Sequence, residues 1–192
     1  MNKVTAVLLR WKRHEELKKI EAHLLTLPFI DEIIIWDNTE QNSLMYGRFL
    51  AAMTARNETI YVQDDDCIIE NVEELYENYV GHEKRRLVNG MKKERISFYR
   101  GRDTLLGWGA FFERSWIACL QMYVDKYGRD AVFHREADRI FTSLLRVPRV
   151  TMIADVKDFP SAMAGHSLSL QRDHETSKAL ALYRAQLLRG EV

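Results

Sequence analysis

Short apolar runs alternate with longer amphipathic segments from the start of this chain, and that alternation restricts the fold to a sheet covered by helices. Val4 to Leu9 reads as a buried strand. Arg13 to Leu27 follows with Leu17, Ile20, Leu24 and Leu27 at helical spacing, and Pro28 ends it. Glu32 to Trp36 (EIIIW) is short and β-branched, hence a second strand, while Ser43 to Ala55 reads as a helix through Leu44, Phe49, Leu50 and Met53. Thr59 to Gln63 (TIYVQ) is the third strand. Such repeated strand–helix units predict an α/β, doubly wound and mostly parallel sheet, whose ligands bind beyond the carboxyl ends of the strands. A polar cluster follows each strand: Arg10 and Trp11, then Asp37 and Asn38, then Asp64 to Asp66. Parallel neighbouring strands bring all three clusters to one edge.

The second half is less regular. An acidic helix is predicted over Asn71 to His82, two short strands within Arg86 to Tyr99, and an apolar strand over Trp108 to Phe112. Helices follow over Arg114 to Tyr127 and Glu136 to Arg146, then a last core strand over Val150 to Ala154 and a loop-rich stretch from Asp158 to Gln171. The tail is read as a helix capped by Asp173, with Glu175 in its first turn and Leu180, Tyr183 and Leu187 inward. The 192 residues are read as one domain, 1–192.

Charge and cysteine content exclude several classes of function. Lys plus Arg number 28 and Asp plus Glu number 28, so no global field draws the chain to nucleic acid or anionic membrane. Anion binding must be local. Cys67 and Cys119 stand in no metal-type spacing, which speaks against a disulfide scaffold or zinc ribbon. The first apolar run is too short for a secretory signal, and no run approaches the roughly 18 residues that cross a bilayer. A cytoplasmic location is the expectation, with the oligomeric state left open.

In YVQDDDCII three successive carboxylates follow a hydrophobic strand, and charges that close repel unless cations or hydrogen bonds hold them. Mg²⁺ and Mn²⁺ take oxygen ligands and bridge carboxylates to substrate phosphates, so one reading is a metal site for a diphosphate. An isolated triplet reads equally well as a solvated turn capping the helix after Asn71. A third reading is a phosphatase of the haloacid-dehalogenase type, with a nucleophilic Asp and Mg²⁺, although that pattern follows the first strand of its fold.

Taken in order, several segments resemble the exostosin-type glycosyltransferase domain, a metal-dependent family of the GT-A fold. VLLRWKR is similar to its first strand with a terminal Arg; EIIIWDNTE to a "VVVWNN" strand; NSLMYGRF to "NSLNNRF"; and YVQDDDCII to its "DDD". GWGAFFERSW resembles "TGAAFFHKYY", READRIFTSLL resembles "CEDIAMNFL", and DHETSK resembles "GHxxKR". The likeness spans nearly the whole chain. It implies retaining transfer of an N-acetylhexosamine from a UDP-sugar to a saccharide or other hydroxyl acceptor, with Mn²⁺ or Mg²⁺ as cofactor.

The resemblance also implies roles. Arg10 faces the nucleotide, Asp37 and Asn38 bond base or ribose, and Asn42 and Arg48 contact the nucleotide or diphosphate. Asp66 is the direct metal ligand, and Asp64 and Asp65 contact ribose, sugar or metal-bound water, with Asp64 counted as a second metal ligand. Gly107 and Gly109 allow close backbone approach around Trp108, whose indole offers a flat surface to a sugar ring or else belongs to the core. Where the family has small residues this chain has Trp108. Asp138 matches the catalytic-region acid and Glu136 stands two positions earlier, where the family has an adjacent Glu-Asp pair; Glu136 otherwise reads as a first-turn acid. His174 and Lys178, four apart on one helical face, match the late basic residues that face the diphosphate, with His166 as a competing ligand. Should Asp138 or Glu136 act as a base, the kinship is with inverting transferases instead. A binding module without catalysis is the remaining alternative.

Overall fold

The computed structural model describes residues 2–82, 85–97, 104–163 and 173–191. Its main sheet has six strands in the order β2 (Ile30–Asp37), β1 (Val4–Arg10), β3 (Thr59–Val62), β6 (Ala110–Glu113), β5 (Leu87–Met91) and β7 (Arg149–Ile153). β1 pairs in parallel with β2 and β3, and β5 with β7, while β6 runs antiparallel between β3 and β5. The sheet is therefore mostly parallel, as the alternation predicts.

Strand residues alternate between two cores because successive side chains point to opposite faces. Val4, Ala6 and Leu8 face one side with Leu17, Ile20 and Leu24 of α1 (His14–Leu24) and Val72 and Leu75 of α3 (Val72–Val80). Val7, Ile60 and Val62 face the other, against α2 (Tyr46–Met53), α4 (Leu120–Tyr127), α5 (Ala131–Leu144) and α6 (His174–Arg189). α1 stops at Leu24, short of the expected Leu27, because the residue before Pro28 is disfavoured in helical conformation.

Several elements depart from expectation. Among the described residues, Arg86 to Ser97 contain one strand and a 3₁₀ turn (Lys93–Arg95) instead of two strands; Phe98 and Tyr99 lie outside them. Residues 149–153 are an edge strand, not a core strand, because only β5 flanks them, and Ile153 is 48% exposed. The helix expected from Glu136 begins at Ala131, since Asp130 caps it by accepting from Phe133 N at 2.8 Å. Asp173 precedes α6 without a side-chain cap bond. The buried face of α6 is Ser177, Ala181 and Ala185, small residues that bring it close against α5, while Leu180 and Tyr183 turn outward at 37% and 50% exposure.

A second sheet has no counterpart in the sequence reading. β4 (Cys67–Ile69) pairs antiparallel with β8 (Val156–Asp158) directly after the triplet. Phe159 N donates to Asp66 O at 2.9 Å and Glu70 N to Asp155 O at 2.8 Å, so this clamp fixes the backbone that leaves Asp66.

Candidate active site

A cavity of about 440 Å³ opens where β1 and β3 deliver their carboxyl ends, between the triplet and helices α5 and α6. Its volume lies within the range typical of small-molecule sites. All three triplet carboxylates line it, with Asn38, Asn42, Trp108, Glu136, Asp138, His174 and Lys178. The charges are organised from beneath. Arg48, on α2, is only 1% exposed and pairs with Asp64 Oδ1 at 2.6 Å and Asp138 Oδ2 at 3.0 Å. It is thus a strut under the cavity floor that joins the triplet to α5, placed neither at the surface nor on the lining.

Arg13 does for Asp65 what Arg48 does for Asp64. Buried just before α1, it pairs with Asp65 Oδ1 at 2.7 Å, and its remaining donors reach Ser161 O and Ala162 O. Asp66 has no such arginine among the described residues; its carboxylate accepts a bond from the buried Cys67 thiol. Burial, reinforced by Asp64 and opposed by Arg13, pushes the Asp66 carboxyl up to about 6. Asp138 is likewise raised to about 6 by burial, with Arg48 opposing and Asp64 adding. Arg48 itself stays charged: burial works against it, and Asp138 and Asp64 outweigh burial and raise its pKa.

Backbone turns set the other wall. Asn38 is buried with its amide engaged, accepting from Ser43 N at 3.0 Å and donating to Leu44 O, while Asn42 accepts from Leu44 N at 2.9 Å. Together they hold Leu44 at φ +51, left-handed and strained for a leucine, at the cavity edge. Asp64 N donates to Gly107 O at 2.9 Å. A Cβ on Gly107 would stand 2.1 Å from Asp64 Oδ2, so glycine lets this turn approach the carboxylate closely. Trp108 lines the cavity with Lys92 5.3 Å from its ring centroid and its other contacts in the core, so it serves both readings. Gly109, φ +84, lies behind it against Tyr61 and off the lining.

Glu136 stands at a kink inside α5 (φ −109, ψ 21) and is 2% exposed, so it is no ordinary first-turn acid. It pairs with Arg139 at 3.3 Å and with His174 Nδ1 at 3.4 Å, tying α5 to α6. Lys178 follows one turn later on the same face. Asp138 Oδ1 is buried without a hydrogen-bond partner. Arg10 and Asp37 pair with each other at the rim, exposed and off the cavity lining. His166 lies outside the described residues. Sequence reasoning missed Arg13, Arg95 and Arg135, all on the lining, although Arg13 lies inside the quoted VLLRWKR and Arg135 opens the quoted READRIFTSLL; Arg95 lies in no quoted segment.

Among the described residues no three His, Cys, Asp or Glu side chains converge into an all-protein metal cage. The donor set still suits a hard divalent ion of another kind. One unpaired carboxylate, Asp66, beside Asp64 matches an ion whose remaining ligands are water and phosphate.

No family model matches the chain, and no curated protein matches its sequence. Solved structures do match its fold. Glucosyl-3-phosphoglycerate synthase from Mycobacterium tuberculosis, crystallised with Mg²⁺ and UDP, superposes at TM-score 0.58 and 11% identity, covering 96% of this chain and 79% of that one. The glycosyltransferase GlyE from Streptococcus pneumoniae TIGR4 matches at 0.54 and 10% identity, covering 100% and 63%. 4-Diphosphocytidyl-2C-methyl-D-erythritol synthase from Anaerococcus prevotii matches at 0.54 and 10% identity, covering 93% and 98%. The architecture is the GT-A type that glycosyltransferases and nucleotidyltransferases share, and nothing in these likenesses singles out the exostosin group.

Proposed function

We propose that the chain is a metal-dependent glycosyltransferase that moves a sugar from a UDP-sugar to an acceptor hydroxyl. The observation that carries this reading is the inequality within the triplet: Asp64 and Asp65 each meet a buried arginine, and Asp66, on the cavity lining, meets none among the described residues. Three carboxylates left together repel, and the fold answers two of them itself. The third is reserved for a cation that arrives with the donor.

Asp66, with Asp64 beside it, is the ligand set in this reading. A bound Mg²⁺ or Mn²⁺ supplies charge neutralisation on the diphosphate leaving group. Lys178 and His174 meet that diphosphate from α6, with Lys178 contributing a point charge. Arg48 keeps Asp64 and Asp138 in fixed relation, so that donor and acceptor chemistry share one frame. Trp108 offers its indole face to the sugar. The exostosin resemblance favours an N-acetylhexosamine and retention at the anomeric carbon. One observation favours a second reading, inversion: Asp138 lines the cavity, and its buried Oδ1 meets no hydrogen-bond partner among the described residues, which leaves the carboxylate available as a base.

Calorimetric titration of UDP with and without Mn²⁺ tests the first claim, and a donor panel read by UDP release tests turnover. A transferase binds UDP more tightly with Mn²⁺ and releases it from one donor. A phosphatase shows no preference for UDP, and a binding module binds without turnover; either result removes the transferase reading. Product anomer analysis by NMR then separates retention from inversion.

A further inference from the structure

Pairing off the charges along the cavity leaves a remainder. Arg48 answers Asp64 and Asp138, Arg13 answers Asp65, and Arg139 answers Glu136. Among the described residues Lys178 has only the strongly exposed Glu175, 4.0 Å away. Arg95 and Arg135 have no ion-pair partner among the described residues, and both line the cavity. Arg135 Nε is buried and meets no hydrogen-bond acceptor among the described residues. Leaving such a donor unmet is unfavourable, so the fold does not itself satisfy this guanidinium.

The donor does not account for these arginines. A diphosphate and a divalent cation at Asp66 largely neutralise one another, and Lys178 with His174 already faces that group in the proposed reading. Position separates them further. Because β6 is antiparallel to both β3 and β5, β3 and β5 run the same way and end at one rim. Arg95 follows β5 and so stands two strands across from the triplet, about 10 Å along the sheet at the usual strand spacing. Arg135 enters from α5, the helix that also brings Asp138 to the cavity.

We propose that Arg95 and Arg135 form an anion subsite on the acceptor side of the cavity, selecting an acceptor that carries a phosphate or carboxylate near its reacting hydroxyl. The word acceptor rests on the transferase reading; the subsite does not. A guanidinium fork matches either anion, so the two sources are distinguished by experiment.

The test titrates the whole protein, without nucleotide, with glucose, glucose 6-phosphate and glucuronate. The expected result is binding of a charged sugar and none of glucose, with phosphate or carboxylate identified by the tighter of the two. The double variant Arg95→Gln with Arg135→Gln should weaken that binding at least about tenfold while UDP affinity in Mn²⁺ stays within about twofold. Lysine at both positions should restore part of it, and an unchanged urea midpoint shows that folding is intact. Equal binding of glucose, charged-sugar binding indifferent to the double variant, or an equal loss of UDP affinity overturns the proposal. If UDP fails to bind with Mn²⁺ while the charged sugar binds through these arginines, the transferase reading falls and the subsite stands.

Discussion

The chain up to Asp66 and the chain beyond it contribute to the cavity in different ways. The first part is repetition: β1, β2 and β3 pair in parallel, each followed by a polar turn, and the triplet falls where the third strand ends. The second part is insertion. β6 enters antiparallel, α5 kinks at Glu136, and α6 lies on α5 through small residues. The first part supplies the triplet, two of whose carboxylates are answered by Arg13 and Arg48; the second supplies Asp138 and Glu136 together with cations, of which Arg95 and Arg135 have no ion-pair partner among the described residues. Arg48, paired with Asp64 and Asp138, is the physical link between the two parts.

Breaking that link should have the largest effect. Arg48→Met leaves Asp64 and the buried Asp138 without their shared counter-charge, a change that typically costs about 3–5 kcal/mol. Urea unfolding should register that loss, and metal-dependent UDP binding should fall with it. Arg48→Lys keeps the charge but not the fork that reaches two carboxylates, so it should recover only part. A loss under about 1 kcal/mol for the methionine variant would mean that the two parts hold their geometry independently.

Next in size, Asp66→Asn should separate binding from folding. Asp66 is a like charge without an arginine, so removing it relieves repulsion and leaves the melting temperature unchanged or higher. Its expected cost is the metal dependence of UDP affinity, at least about tenfold by calorimetry. Persistent Mn²⁺ dependence would move the metal to Asp64 or Asp65.

The two parts also differ in how readable they were. Strands one to three and their helices were legible because local periodicity and final burial coincide there, as in Leu17, Ile20 and Leu24. In α6 they do not coincide. Leu180 and Tyr183 carry the apolar signal but face outward, because close approach to α5 selects Ser177, Ala181 and Ala185. β4 is three residues long and declares itself only through its partner ninety positions on, which no local pattern reveals. Within the site, the cavity gathers the triplet, which its own run of charges singled out, with Asp138, His174 and Lys178, to which the exostosin resemblance pointed. The burial of Arg48 and the pairing of Arg13 were not, since a charged residue shows its counter-charge only when the chain has folded.

A smaller effect follows from Asp138, and it sharpens the link between the parts. Its carboxyl is raised to about 6 by burial, with Glu136 and Asp64 adding and Arg48 and Arg139 opposing. A raised carboxyl contributes stability below its unfolded value near 4 that is lost as pH rises through about 6. The metal-free protein should therefore lose some stability between about pH 4 and 6, read as a falling urea midpoint. Asp138→Asn should flatten that fall; an unaltered slope would assign it to other groups.

The smallest effect is expected at the rim. Arg10 and Asp37 were anticipated at the nucleotide, yet they pair with each other at 42% and 43% side-chain exposure and stay off the cavity lining. The Arg10 guanidinium holds the Asp37 carboxyl well below its usual range, but water and salt screen so exposed a pair. Arg10→Gln should thus leave stability nearly unchanged and UDP affinity in Mn²⁺ within about twofold. A larger loss of UDP affinity, with stability unmoved, would bring the first strand's end back into the donor site.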